Sequence, residues 1–166
     1  MVRIRVGVLA SGRGSDFQSL VDARDRGELD VDLAVLVCNV PGAPVLERAK
    51  RAGVPSVVVD HRPFGKDRDA FEREVVLILR EKRVDLVVLA GFMRLVSSYF
   101  VGEFPNRIIN IHPALLPSFP GTHGQRDALA HGVKVSGCTI HFVDTSVDGG
   151  PIILQKAVPV LDDDTE

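Results

Sequence analysis

Only two cysteines occur in 166 residues, Cys38 and Cys138, so no disulfide framework organises this chain. Both sit in apolar runs and neither falls in a metal-ligand spacing, which reads as reduced, buried thiols of a cytoplasmic protein. A basic excess is lacking as well. The formal net charge is −2 and the sequence pI about 6.2, which argues against a nucleic-acid footprint, since that needs clustered Lys and Arg. No apolar run approaches the roughly 20 residues of a membrane-spanning helix. Arg3 and Arg5 interrupt the first apolar stretch, so no signal peptide is expected. Internal repeats, low-complexity tracts and linkers are absent too. What remains is 45% hydrophobic, enough for one packed domain over residues 1–166 and a squeeze for two.

Within that composition, apolar runs alternate with charged segments of helical period. This predicts an α/β fold: an open, mostly parallel, Rossmann-like sheet with helices on both faces and late antiparallel strands. Strands are expected over residues 6–10, 33–38, 56–59, 85–90, 107–111, 136–143 and 152–158. Helices are expected over 16–26, 43–52, 68–82 and 125–131. Gly53 stands where a left-handed helix cap belongs, with Pro55 just beyond. A Pro- and Gly-rich loop fills 113–124.

The run Arg107-Ile108-Ile109-Asn110-Ile111-His112-Pro113 is the most informative. Its β-branched residues read as a buried strand. Asn110 and His112 are two apart, and side chains two apart on a strand share a face. Both therefore face one cleft at the carboxyl end, where Pro113 stops the ladder and where open α/β sheets bind ligands. A lone histidine is usually a satisfied core residue, but the Asn, the two-residue period and the stiff loop behind it favour catalysis for His112. His141, inside a later strand, reads as structural. His61 and His131 read as exposed, and His123 as a loop residue within reach of a ligand.

Other candidates stay balanced on the residues alone. Ser11-Gly12-Arg13-Gly14-Ser15 links a strand to a helix and either cradles phosphate on the amides of Gly14, Ser15 and Asp16 or is a plain turn. It has neither the Lys-Ser/Thr pair of a Walker loop nor the three-glycine dinucleotide spacing. Asp148-Gly149-Gly150-Pro151 reads first as a turn, although Asp144 and Asp148 bracket a loop of the kind that holds catalytic carboxylates. Asp162-Asp163-Asp164 reads as a solvated helix start, with Asp163 and Glu166 in a capping pattern. No Ser or Cys occupies a nucleophile elbow and no metal-ligand cluster occurs, so no metal is expected.

Taken together, Ser11-Gly12-Arg13-Gly14-Ser15, Ala90-Gly91-Phe92-Met93-Arg94-Leu95, Asn110-x-His112-Pro113, Leu115-Leu116-Pro117, Pro120-Gly121 and Asp148-Gly149-Gly150-Pro151 resemble, in order, the phosphoribosylglycinamide formyltransferase family. These are folate-dependent enzymes of purine synthesis. The resemblance implies Asn110, His112 and Asp148 as the catalytic trio and a phosphate site at Gly14, Ser15 and Asp16. It further implies a folate pocket of Met93, Arg94, Leu95, Val96, Asn110, Asp144, Thr145, Ser146, Val147 and Asp148, with Arg68 near the glutamyl tail. The implied ligands are 10-formyltetrahydrofolate as formyl donor and phosphoribosylglycinamide as acceptor, in a monomer or homodimer that binds neither nucleic acid nor membrane. The Asn, His and Asp set also occurs in formyltetrahydrofolate hydrolases, so hydrolysis, or folate or nucleotide binding without turnover, stands as the alternative. Two departures stand out. Asp16 replaces the family's usual Asn, and the family continues past Glu166 with a helix on the ribonucleotide side, so the chain is expected to be cut short at its C-terminus and a weak catalyst.

Overall fold

The computed structural model describes residues 3–166. It divides into a unit ending at Ile108 and a second beginning at Ile109.

The first unit carries β1 (Ile4–Ala10), α1 (Ser15–Asp25), β2 (Val31–Cys38), α2 (Pro44–Arg51), β3 (Ser56–Val58), α3 (Arg68–Glu81), β4 (Leu86–Leu89) and α4 (Ser98–Glu103). β1 pairs in parallel with both β2 and β4, and β2 with β3. Val35, Leu36, Val37 and Cys38 are consecutive and all buried, so both faces of β2 are covered. A continuous apolar run is what such a strand requires. Helix α3 lies close over β1: a Cβ at Gly7 would sit 2.6 Å from Leu79 Cδ2. The apolar stripe Phe71, Val75, Val76 and Leu79 buries that face of α3. Asp67 caps α3 by accepting from the Ala70 amide at 3.0 Å.

The second unit carries β5 (Ile108–His112, from its second residue), α5 (Gly124–His131), β6 (Val135–Phe142) and β7 (Ile152–Pro159). Its ladders are antiparallel, β5 with β6 and β6 with β7. β5 ends at His112, immediately before Pro113.

The expected parallel-then-antiparallel order of strands is present, with no boundary shifted by more than two residues. Two short elements depart from expectation: α4 and a 3-10 turn at Arg62–Phe64. α4 is capped by the Ser97 hydroxyl, which also donates to the buried Glu72 carboxylate. At the expected helix start, the Asp164 carboxylate accepts from the Leu161 amide at 2.8 Å and closes a turn, and Lys134 pairs with Asp162 at 2.7 Å. A short polar side chain satisfies nearby backbone here. No helix among the described residues is long and apolar enough to cross a membrane.

Candidate active site

The register of β5 against β6 builds the second unit's site. Asn110 lies opposite His141 and His112 opposite Thr139. Asn110 Nδ2 donates to His141 Nε2 at 3.2 Å, while His141 Nδ1 donates to its neighbour's carbonyl, Phe142 O, at 2.9 Å. One imidazole nitrogen thus donates and the other accepts, which fixes the amide orientation of Asn110. His141, expected to be structural, is buried and holds the Asn110 amide.

His112 is almost fully buried. Its Nε2 donates to Phe119 O at 2.8 Å, and its Nδ1 lies 3.5 Å from Asp148 Oδ2. That separation is too long for a direct hydrogen bond and sets the carboxylate beside the ring. Asp148 Oδ2 also accepts from the Gly121 amide at 2.7 Å, and its Oδ1 lies 3.7 Å from His141 Nε2. The three side chains expected as a trio do converge, with His141 as a fourth.

The Asp148-Gly149-Gly150 turn makes this possible. Asp148 takes a left-handed φ of 51°, a conformation that Asp tolerates better than most residues. A Cβ at Gly150 would fall 1.9 Å from Phe142 O, so only glycine lets the turn close onto β6. Phe142 N donates to Pro151 O at 2.9 Å and seals it. Upstream, the Ser146 amide and hydroxyl both donate to Asp144 and hold its carboxyl below the usual carboxylate range. Val147 is exposed on this loop, and Thr145 lies between.

Behind His112, the Thr139 hydroxyl donates to Ala114 O at 2.7 Å and accepts from the Leu116 amide at 3.0 Å. Gln155 Nε2 donates to Leu116 O at 2.9 Å and to Thr139 Oγ1 at 3.0 Å. The chain after Pro113 is thereby pinned to β6 and β7.

In the first unit, Gly14 precedes α1 in a left-handed conformation, φ 73°, and no side chain caps the helix. The amides of Ser15 and Asp16, in the first turn, have no intrahelical partner and suit an anion. The loop shape is fixed from outside: Val45 N donates to Gly12 O at 3.1 Å and Arg48 Nε to Arg13 O at 2.8 Å. Asp16 is half-buried, and burial raises its carboxyl above the ordinary range. Also in this unit, Met93 and Leu95 are exposed, Val96 is partly exposed, and Arg68 is exposed at the start of α3. Arg94 stacks its guanidinium 5.1 Å from the Phe71 ring centroid and keeps a buried Nε without a hydrogen-bond partner.

His61, expected to be exposed, is half-buried: its Nδ1 lies 2.9 Å from Asn39 O. Among the described residues no group of three or more His, Cys, Asp or Glu side chains is placed to hold a metal ion.

One unit thus carries parallel strands with a glycine turn, and the other gathers Asn110 and His112 at a strand end with Asp148 on a turn. The sequence model of the formyl transferase family matches residues 4–166, and the chain belongs to that family. It is 41% identical over 161 residues to the phosphoribosylglycinamide formyltransferase of Bacillus subtilis, covering 97% of this chain and 82% of that protein. It is 50% identical over 166 residues to the trifunctional purine biosynthetic protein adenosine-3 of Drosophila melanogaster, spanning 99% of this chain but only 12% of that longer protein. Among solved structures, glycinamide ribonucleotide transformylase 1 from Symbiobacterium toebii superposes with a TM-score of 0.94 at 51% identity, covering 98% of this chain and 76% of its own.

Proposed function

We propose that this chain transfers the formyl group of 10-formyltetrahydrofolate to the amine of phosphoribosylglycinamide, a step of purine biosynthesis. The observation that carries the reading is the buried His112–Asp148 pair, 3.5 Å apart, with the Asn110 amide on the same strand face. Membership of the family and similarity to proteins named for this reaction support it.

In the reaction, the substrate amine attacks the formyl carbon, forming a C–N bond and placing negative charge on the formyl oxygen. Asn110 Nδ2 and a protonated His112 stabilise that charge as it develops, which is where fixed donors act most strongly. The Asp148 carboxylate lies beside the His112 ring and orients it. His112 Nε2 exchanges its bond to Phe119 O for the substrate. As the C–N bond to folate breaks, His112 gives its proton to the departing nitrogen, and the proton lost by the attacking amine restores the balance. His141 is a positioning residue, holding the Asn110 amide.

The ribonucleotide phosphate binds the amides of Gly14, Ser15 and Asp16. The resemblance supports folate contacts by residues of each unit taken by itself: Arg68, Met93, Arg94, Leu95 and Val96 in the first, and Asn110, Asp144, Thr145, Ser146, Val147 and Asp148 in the second. Within the first unit, Met93 and Leu95 supply exposed apolar surface for a flat ring, and Arg68 is assigned to the glutamyl tail. The cytoplasm is the proposed location.

Calorimetric titration of phosphoribosylglycinamide into the protein tests the choice of acceptor. Saturable binding that inorganic phosphate competes away is expected. A hydrolase, which uses water as the nucleophile, has no need of that site, so absence of binding contradicts the proposal.

A further inference from the structure

Ser11 opens the glycine turn after β1, and its hydroxyl is buried and fully used. It accepts from the Met93 amide at 2.8 Å and donates to Asn39 Oδ1 at 2.6 Å. The Ser11 amide donates to Gly91 O at 3.0 Å. Asn39 at the end of β2 is itself buried, and its Nδ2 lies 3.2 Å from His61 Nδ1. Among the described residues, the hydrogen bonds that join the turn at 11–16 to the segment at 91–96 all pass through Ser11. The rest of the turn is tied elsewhere, to Val45 and Arg48.

We infer that Ser11 is a positioning residue that couples ribonucleotide binding to folate binding, resting on the assignment of the turn to phosphate and of Met93 to folate. A hydroxyl has one proton. Because Asn39 Oδ1 takes it, the oxygen can only accept from the Met93 amide, and the hydroxyl cannot turn without breaking one of the two bonds. A phosphate that orders the turn therefore orders Met93 and the apolar surface beside it. Folate that orders Met93 orders the turn in return, because binding coupling is reciprocal. The neighbouring glycine-turn amides read the phosphate; Ser11 touches neither ligand.

The test is calorimetry on the whole chain with two ligands: phosphoribosylglycinamide, and a 10-formyltetrahydrofolate analogue that cannot release its formyl group. Each is titrated alone and with the other saturating. In the wild type each ligand tightens the other by the same factor, on the order of 5-fold or more, the low end of typical coupling. In Ser11→Ala the factor falls to about one, and the analogue binds more weakly even though residue 11 does not touch it. A Ser11→Ala protein that keeps the wild-type factor, whatever its separate affinities, overturns the inference. Amide exchange in the wild type gives a check that needs no variant: ribonucleotide alone slows exchange at Met93, and an unchanged rate there overturns it. If the wild type binds both ligands with no mutual effect, the coupling alone is wrong; if it binds neither, the function proposed above fails as well.

Discussion

His112 has both ring nitrogens committed, one to Phe119 O and one toward Asp148. Replacing it with Ala removes the charged donor and the proton source together. Turnover is expected to fall by two to three orders of magnitude, since one oxyanion donor contributes about 3–4 kcal/mol, while the far-UV circular dichroism stays native. Near wild-type turnover would sink the assignment. Asp148→Asn separates charge from architecture, because an amide oxygen still accepts from the Gly121 amide. A large drop in kcat with little change in thermal midpoint is expected; a collapse of the fold would mean that the carboxylate is chiefly structural. Asp16 offers a test of sign. Burial raises its folded-state carboxyl above the ordinary value of 3.8, so the native state holds the proton to higher pH than the unfolded chain does. Stability therefore falls as pH rises from the ordinary Asp value through the raised one, and the deficit persists above it. Asp16→Asn should be the more stable protein in urea at neutral pH, with the gap closing once the pH drops below the ordinary range. A less stable variant at neutral pH contradicts this. Asn110 and His112 were legible because a two-residue period states a shared face. His141 was not, because only the pairing register reveals that it faces Asn110, and no feature of its own strand encodes that register.

The glycine turn and helix α1 are the element on which ribonucleotide binding is proposed to depend. Gly14→Ala places a Cβ 2.4 Å from Val45 Cγ2 and asks a non-glycine residue to hold φ 73°. Left-handed backbone costs about 1–2 kcal/mol, and overpacking about 1–3 more. Destabilisation and weaker ribonucleotide binding are expected together. Gly12→Ala is the control: its Cβ meets nothing within 4 Å, so its denaturation midpoint should stay near wild type. Equal effects at the two positions would mean that the turn geometry is not what matters. The long helices α1 and α3 were legible because apolar residues recur at helical spacing over several turns. Helix α4, six residues long, is shorter than the window in which such a period can register, and it exists because Ser97 and buried Glu72 cap it. At residues 162–166, where acidic residues at capping spacing read as a helix start, Asp164 closes a turn on Leu161.

At the scale of the whole chain, the order of parallel strands followed by antiparallel ones was readable, because runs apolar on both faces give way to half-polar ones. The sequence model that matches residues 4–166 is that of the formyl transferase family, and the narrower family expected from the motifs is the one that names a relative 41% identical to this chain. Composition and period alone left the substrate open, since Asn, His and Asp serve both formyl transfer and formyl hydrolysis. The central claim is that the acceptor is an amine on a phosphoribosyl carrier, and product analysis tests it most directly. The protein is incubated with 10-formyltetrahydrofolate, with and without phosphoribosylglycinamide, and the products are resolved by mass. The account predicts formylated ribonucleotide in step with tetrahydrofolate release, with release depending on the amine and lost in His112→Ala. Tetrahydrofolate and free formate appearing at the same rate whether or not the amine is present would contradict it.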